Sequence, residues 1–148
     1  MPYQTMSTAD VFEFLSTQPA RPGALASTRK DGRPHVAPIW YLVDGEPDNF
    51  TIVFNTGAQT VKGRSLRRTG LASLMVQDDR APFTFVTVQG TVTISEDHAE
   101  VREWAGRLGA RYMGADREEE FAARNGVPGE LLVRLTPVHL TGARDVAD

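Results

Sequence analysis

Cysteine is absent from the 148 residues. That excludes a disulfide scaffold, thiolate metal sites and a cysteine nucleophile. Histidine is scarce, with His35, His98 and His139 far apart and sharing no ligand spacing with carboxylates, so no metal site is expected. Aromatic residues make up 8%. No apolar run approaches the roughly 18 residues that span a bilayer, so no membrane partner is expected. Large excess charge is also missing: the formal net charge is -3 and the isoelectric point about 5.6, which argues against general nucleic-acid binding. The opening MPYQTMSTADVF lacks a basic stretch followed by an apolar one, so no signal peptide is read and the cytoplasm is the expected location. Walker loop, dinucleotide fingerprint and nucleophile elbow are all missing. Repeats, linkers and low-complexity tracts are missing too, and residues 1–148 are read as one domain.

What is present is ordinary globular composition, 41% hydrophobic and 24% charged. Ser7 or Thr8 can cap a short helix whose inward stripe is Val11, Phe14 and Leu15. Ala24 to Lys30 and His35 to Val43 read as strands around the turn Asp31-Gly32-Arg33-Pro34. The second run is apolar on both alternating faces, which suits a central strand or one facing a partner or cofactor. Phe50 to Phe54 and Leu71 to Val76 follow as strands. Phe83 to Ile94 is read as the longest strand, with a bulge or a close backbone approach at Gly90. Asp97 starts a helix with Glu100 placed for a capping box and a core stripe of Val101, Trp104, Ala105, Leu108 and Tyr112. A second helix over Asp116 to Asn125 stops at Gly126-Val127-Pro128-Gly129, and Glu130 to Thr136 is the last long strand, which His139 to Thr141 can extend after Pro137. Glu118-Glu119-Glu120 reads as a solvated helix face. Hairpin spacing with few intervening helices predicts a mainly β (α+β) fold, a small six-stranded antiparallel barrel with flanking helices.

The segment GAQTVKGRSLRRTG, between Gly57 and Gly70, follows the third strand directly. A helix start there leaves unpaired backbone amides and a positive dipole end, both suited to a phosphate. Lys62 and Arg64 add charge, while Thr56 and Thr60 add hydroxyls. The competing reading is a solvated basic helix, the ordinary fate of a charge run. Trp40 likewise has two readings, core packing or a wall against a planar ligand. No residue pair announces acid–base or covalent catalysis, so an enzyme built on this chain would rely on a cofactor for its chemistry.

Ala24 to Val36 resembles the opening hairpin of the split β-barrel flavin and deazaflavin enzymes, the superfamily of the pyridoxamine phosphate oxidases. Thr56, Thr60, Lys62 and Ser65-Leu66-Arg67-Arg68, followed by Leu71 to Leu74, are similar to its phosphate-gripping stretch. Val88-Gln89-Gly90-Thr91-Val92 resembles its long strand with a glycine bulge. The tail Gly126 to Leu135 is similar to actinobacterial members that use the deazaflavin coenzyme F420. The resemblance runs from about Phe12 to Gly142 and implies a homodimer with cofactor sites at the subunit interface. It implies that Lys62, Thr56 and Thr60 hold the cofactor phosphate with Asn55 beside them, and that Pro38, Ile39 and Trp40 lie along the ring. Gln77 and Phe83 would close the pocket from the next strand pair. Arg64, Arg67 and Arg68 would meet the acidic polyglutamate tail that FMN lacks. The sequence departs from some relatives in carrying Thr60 where they have arginine two residues before the lysine.

The implied activity is hydride transfer between F420 and an electron-poor small molecule such as a conjugated enone. Its proton would come from solvent or from Tyr41, for which core packing is the alternative. FMN is the alternative cofactor, in an oxidase or reductase of the same fold. A non-catalytic flavin- or tetrapyrrole-binding module is the third reading.

Overall fold

A computed structural model describes residues 4–147. Eight strands, β1 (Gln4–Thr5), β2 (Gly23–Thr28), β3 (Pro34–Ile39), β4 (Leu42–Glu46), β5 (Asn49–Gly57), β6 (Leu71–Asp78), β7 (Thr84–Ser95) and β8 (Glu130–Arg144), form one antiparallel sheet. Four helices flank it: α1 (Thr8–Ser16), α2 (Val61–Thr69), α3 (His98–Met113) and α4 (Glu118–Asn125), the last preceded by a 3₁₀ turn at Ala115–Arg117. The strand order is β3-β2-β6-β7-β8-β5-β4, with β1 beside β8. The two ends of that path, β3 and β4, are consecutive in the chain and separated only by Trp40 and Tyr41. The sheet therefore rolls around its core rather than lying open.

The count is eight strands rather than six for two reasons. Gln4–Thr5 adds a short strand on Arg144 and Ala143. The expected single strand His35 to Val43 is two strands, since β3 pairs with β2 and β4 pairs with β5. Helix α3 satisfies the backbone at this corner. The Tyr41 amide donates to the Tyr112 hydroxyl at 3.1 Å, and the Arg111 guanidinium donates to the Tyr41 carbonyl at 2.9 Å. The longest strand is β8, at 15 residues, not β7 at 12. The strand continues past Pro137 through the expected extension His139 to Thr141, and Val138 is the extra residue of a bulge on β8, since Gln89 pairs with His139 and Gly90 with Pro137. A Cβ on Gly90 would stand 1.9 Å from the Thr136 carbonyl oxygen, so the backbones meet where only glycine fits.

Ser7 caps α1 in a reciprocal box with Asp10. Asp97 caps α3, and the Glu100 carboxylate accepts instead from the Ser95 hydroxyl at 3.0 Å. Leu25, Ile52, Phe54, Leu74, Val86, Val88, Leu131, Val133 and Leu135 fill the barrel interior and are fully buried. Val53, Val101, Trp104 and Leu132 form a second cluster, where α3 covers the outer side of β5 and β8. That cover leaves the start of α2 facing α3 and α4 across a cleft.

Asp78, at the end of β6, accepts hydrogen bonds from the amide, Nε and Nη2 of Arg80 at 3.0–3.1 Å and from Arg21 Nη2 at 3.3 Å. The Arg80 bonds, ahead of the Arg21 charge, hold its carboxyl at about 2, below the usual 3.8. A carboxyl depressed on folding adds stability that is present above its unfolded value and is lost as pH falls through the folded one. Asp78→Asn is therefore expected to lower the thermal midpoint at neutral pH and to flatten its fall between pH 4 and 2, measured by melts across that range.

Candidate functional site

Strand β5 delivers Asn55, Thr56 and Gly57 to the foot of α2, whose N-cap is Thr60. Gly63 lets the helix seat there, since a Cβ on it would stand 2.1 Å from the Gly57 carbonyl oxygen. The Thr60 hydroxyl donates to that carbonyl at 2.7 Å and accepts from the Gly63 amide at 3.0 Å. With its one proton so placed, Thr60 receives the Thr56 hydroxyl across 3.2 Å. Both hydroxyls expected at a phosphate are thus engaged in shaping the turn, with Thr60 as its cap.

A cavity of about 280 Å³ opens at this turn. Its floor is Asn55, Thr56, Gly57, Thr60 and Lys62, one wall is Pro38, Ile39 and Trp40, and α3 and α4 supply Ala105, Leu108 and Asn125. Glu130 completes it. Lys62 is half-buried and forms no ion pair among the described residues. Asn55 Nδ2 is buried without an acceptor. An unpaired ammonium and an orphaned amide donor in one cleft fit an anionic or carbonyl-bearing ligand, because a buried donor left unsatisfied costs about 1–3 kcal/mol. A phosphate ester meets this donor set.

Trp40 combines its two readings. It stacks on Tyr112 at 5.0 Å and 3° and meets Phe121 edge-on at 5.7 Å, while still lining the cleft. Seven of the twelve residues that the resemblance places at the cofactor or its acidic tail therefore share this cavity: Pro38, Ile39, Trp40, Asn55, Thr56, Thr60 and Lys62. Five do not. Arg64 is exposed on α2 outside it. Gln77 lines the largest cavity, about 660 Å³, together with Arg21, Pro38, Asp78 and Arg80. Phe83 lines a third, of about 340 Å³, that also contains Gln77. Size does not make the largest cavity the anion site, because its arginines are already paired to Asp78. Pro38 lines both it and the Lys62 cleft, so the two adjoin across β3. Of the other cations expected at an acidic tail, Arg67 pairs with Glu96 at 2.8 Å and Arg68 bonds the Thr28 carbonyl, which leaves Arg64.

Tyr41 is a core residue. Its hydroxyl donates to the Leu15 carbonyl at 3.1 Å, and burial pushes its pKa up to about 12. With its proton committed to the Leu15 carbonyl and its side chain outside the Lys62 cleft, it is not placed to protonate a ligand there. Tyr41→Phe is expected to cost about 0.5–1.5 kcal/mol of stability in urea unfolding and to leave ligand affinity unchanged. Leu15 keeps a second donor in Arg111 Nη2 at 2.9 Å, so no orphaned carbonyl results.

Sequence reasoning missed Glu130 and Asn125 as cleft residues. Glu130 enters because β8 pairs with β5 in a register that sets it opposite Gly57. Only the long-range pairing of these strands carries that signal.

The sequence model of the pyridoxamine 5'-phosphate oxidase family matches residues 8–142. The chain belongs to that family. The conserved hypothetical protein Rv2991 from Mycobacterium tuberculosis superposes with a TM-score of 0.77 at 23% identity, over 97% of this chain and 89% of that one. An F420 reductase gives 0.63 at 23%, over 82% and 89%. A FAD-binding protein from Mesorhizobium loti gives 0.70 at 21%, over 97% and 98%. At these identities the superpositions establish the shared fold. Comparison with curated proteins finds no match. Among the described residues, no helix is long and apolar enough to cross a membrane.

Proposed function

We propose that the chain is an F420-dependent oxidoreductase that passes a hydride between the deazaflavin and an electron-poor small molecule such as a conjugated enone. The observation that carries this reading is the cleft at the foot of α2, where Lys62 and the unpaired Asn55 amide face an apolar wall of Pro38, Ile39 and Trp40. Lys62 and Asn55 hold the coenzyme's phosphate, and the positive end of α2 adds to the attraction. Pro38 guides the ring from this cleft toward the adjoining cavity that contains Gln77. The bound deazaflavin supplies the hydride. The protein's part is to align donor and acceptor and exclude water, and such alignment contributes on the order of 7–11 kcal/mol. No proton-donating side chain is required, and solvent serves. The F420 reductase of the same fold supports the choice of coenzyme.

The active form in this reading is a homodimer whose second subunit covers the ring, with Gln77 and Phe83 reaching the partner's coenzyme. Val36, Leu71 and Val138 are 64%, 58% and 62% exposed, large apolar side chains that a second copy would cover.

Titration of purified protein with F420 and with FMN, followed by ring fluorescence, tests the coenzyme. Tight F420 binding together with reduction of an enone panel is expected. Tight FMN binding without F420 would move the chain to an FMN oxidase or reductase. Binding without turnover would make it a carrier.

A further inference from the structure

The Lys62 cleft holds a carboxylate as well as an ammonium. Glu130 opens β8 and lies opposite Gly57 in the sheet. A Cβ built on Gly57 would stand 3.3 Å from Glu130 Oε2 and 3.1 Å from Thr60 Cγ2, so the carboxylate sits over the turn that begins α2. Lys62 and Glu130 are the two ionisable residues lining this cavity. The segments that β3, β5, α3 and α4 contribute to it are uncharged. Burial raises the Glu130 carboxyl above its ordinary value, and the nearby Lys62 charge opposes that shift, so the two groups sense each other.

Side-chain charge in the cleft therefore sums to zero, leaving the partial positive charge of the helix end as the surplus. A phosphate monoester carries about -1.5 to -2 at pH 7, its second proton leaving near pH 6. A phosphodiester has a single acidic oxygen and stays at -1. We propose that Glu130 sets the charge this cleft accepts, cancelling the advantage that the doubly charged monoester of FMN would otherwise hold over the singly charged phosphodiester of a deazaflavin. The proposal rests on the reading that a coenzyme phosphate binds beside Lys62.

Three probes that share one ring isolate the charge: FMN, its phosphate monomethyl ester and riboflavin. Their dissociation constants are measured at pH 8 by flavin fluorescence on the wild type, Glu130→Gln, Glu130→Ala and Lys62→Ala. The wild type is expected to bind FMN and its methyl ester with similar affinity, because the Glu130 carboxylate offsets the pull of Lys62 on the second charge. Either Glu130 variant is expected to tighten FMN about tenfold, while the methyl ester changes less and riboflavin hardly at all. Because the ionised carboxylate is partly desolvated on folding, neither variant is expected to melt below the wild type. A ratio of FMN to methyl ester affinity that both Glu130 variants leave unchanged would overturn the proposal alone. If Lys62→Ala changes no probe's affinity, the phosphate lies elsewhere, and the underlying coenzyme reading falls with the proposal.

Discussion

Lys62→Ala is expected to weaken coenzyme binding by about 1.5–3 kcal/mol, roughly tenfold to a hundredfold, the range for hydrogen bonds to a charged group. The lysine is half-buried and has no ion-pair partner among the described residues, so the fold does not depend on its charge. The thermal midpoint of the variant should stay near that of the parent. Affinity and melting therefore separate a binding role from a structural one. An unchanged dissociation constant with a lowered midpoint would assign Lys62 to the fold.

Gly63→Ala should strike both properties at once. The added methyl would stand 2.1 Å from the Gly57 carbonyl oxygen and 3.1–3.2 Å from the carbonyl carbons of Gly57 and Ala58, all backbone atoms that cannot swing aside. Alanine is the better helix former by about 1 kcal/mol, yet overpacking of this kind costs about 1–3 kcal/mol. The balance is a net loss of stability. To relieve the clash, the start of α2 must lift from β5 and carry Lys62 and the Thr60 cap with it. Coenzyme affinity is expected to fall at least as far as in Lys62→Ala, because the whole anion-binding turn moves. Equilibrium unfolding and a coenzyme titration on the same preparation check both parts. A variant with parental affinity would show that the position of α2 is immaterial to binding.

The parts of this architecture that follow from local chemistry were legible in the residues. The period-two stretch after Phe83 and the turn at Gly32 each report a local preference, and the structure has β7 and the β2–β3 hairpin there. Gly70 ends α2 in the left-handed conformation that suits a glycine just past a helix. The bulge at Gly90 was legible for the same reason, since an isolated glycine in a strand marks a close approach. What escaped notice depends on distant partners. The break at Trp40 and Tyr41 exists because Arg111 and Tyr112, some 70 positions later, take over the backbone groups a continuous strand would have paired. Nothing within His35 to Val43 announces it.

The cleft divides in the same way. Lys62, Thr60 and the wall of Pro38, Ile39 and Trp40 could be placed because they lie on two short segments with distinctive residues. Glu130 reaches the cleft through the β5–β8 register, and Asn125 through the docking of α4 on α3. Thr60 was read as a ligand donor although the same hydroxyl chemistry makes it a helix cap, and the cap is the role its hydrogen bonds display. Gln77 and Phe83 illustrate the remaining gap, since they line neighbouring cavities within this chain.

A crystal structure of the protein with F420 tests the central claim most directly. The account predicts the coenzyme phosphate within hydrogen-bonding reach of Lys62 Nζ and Asn55 Nδ2, with the ring running past Pro38. A phosphate seated instead at Arg21 and Arg80, with the Lys62 cleft left to solvent, would contradict it.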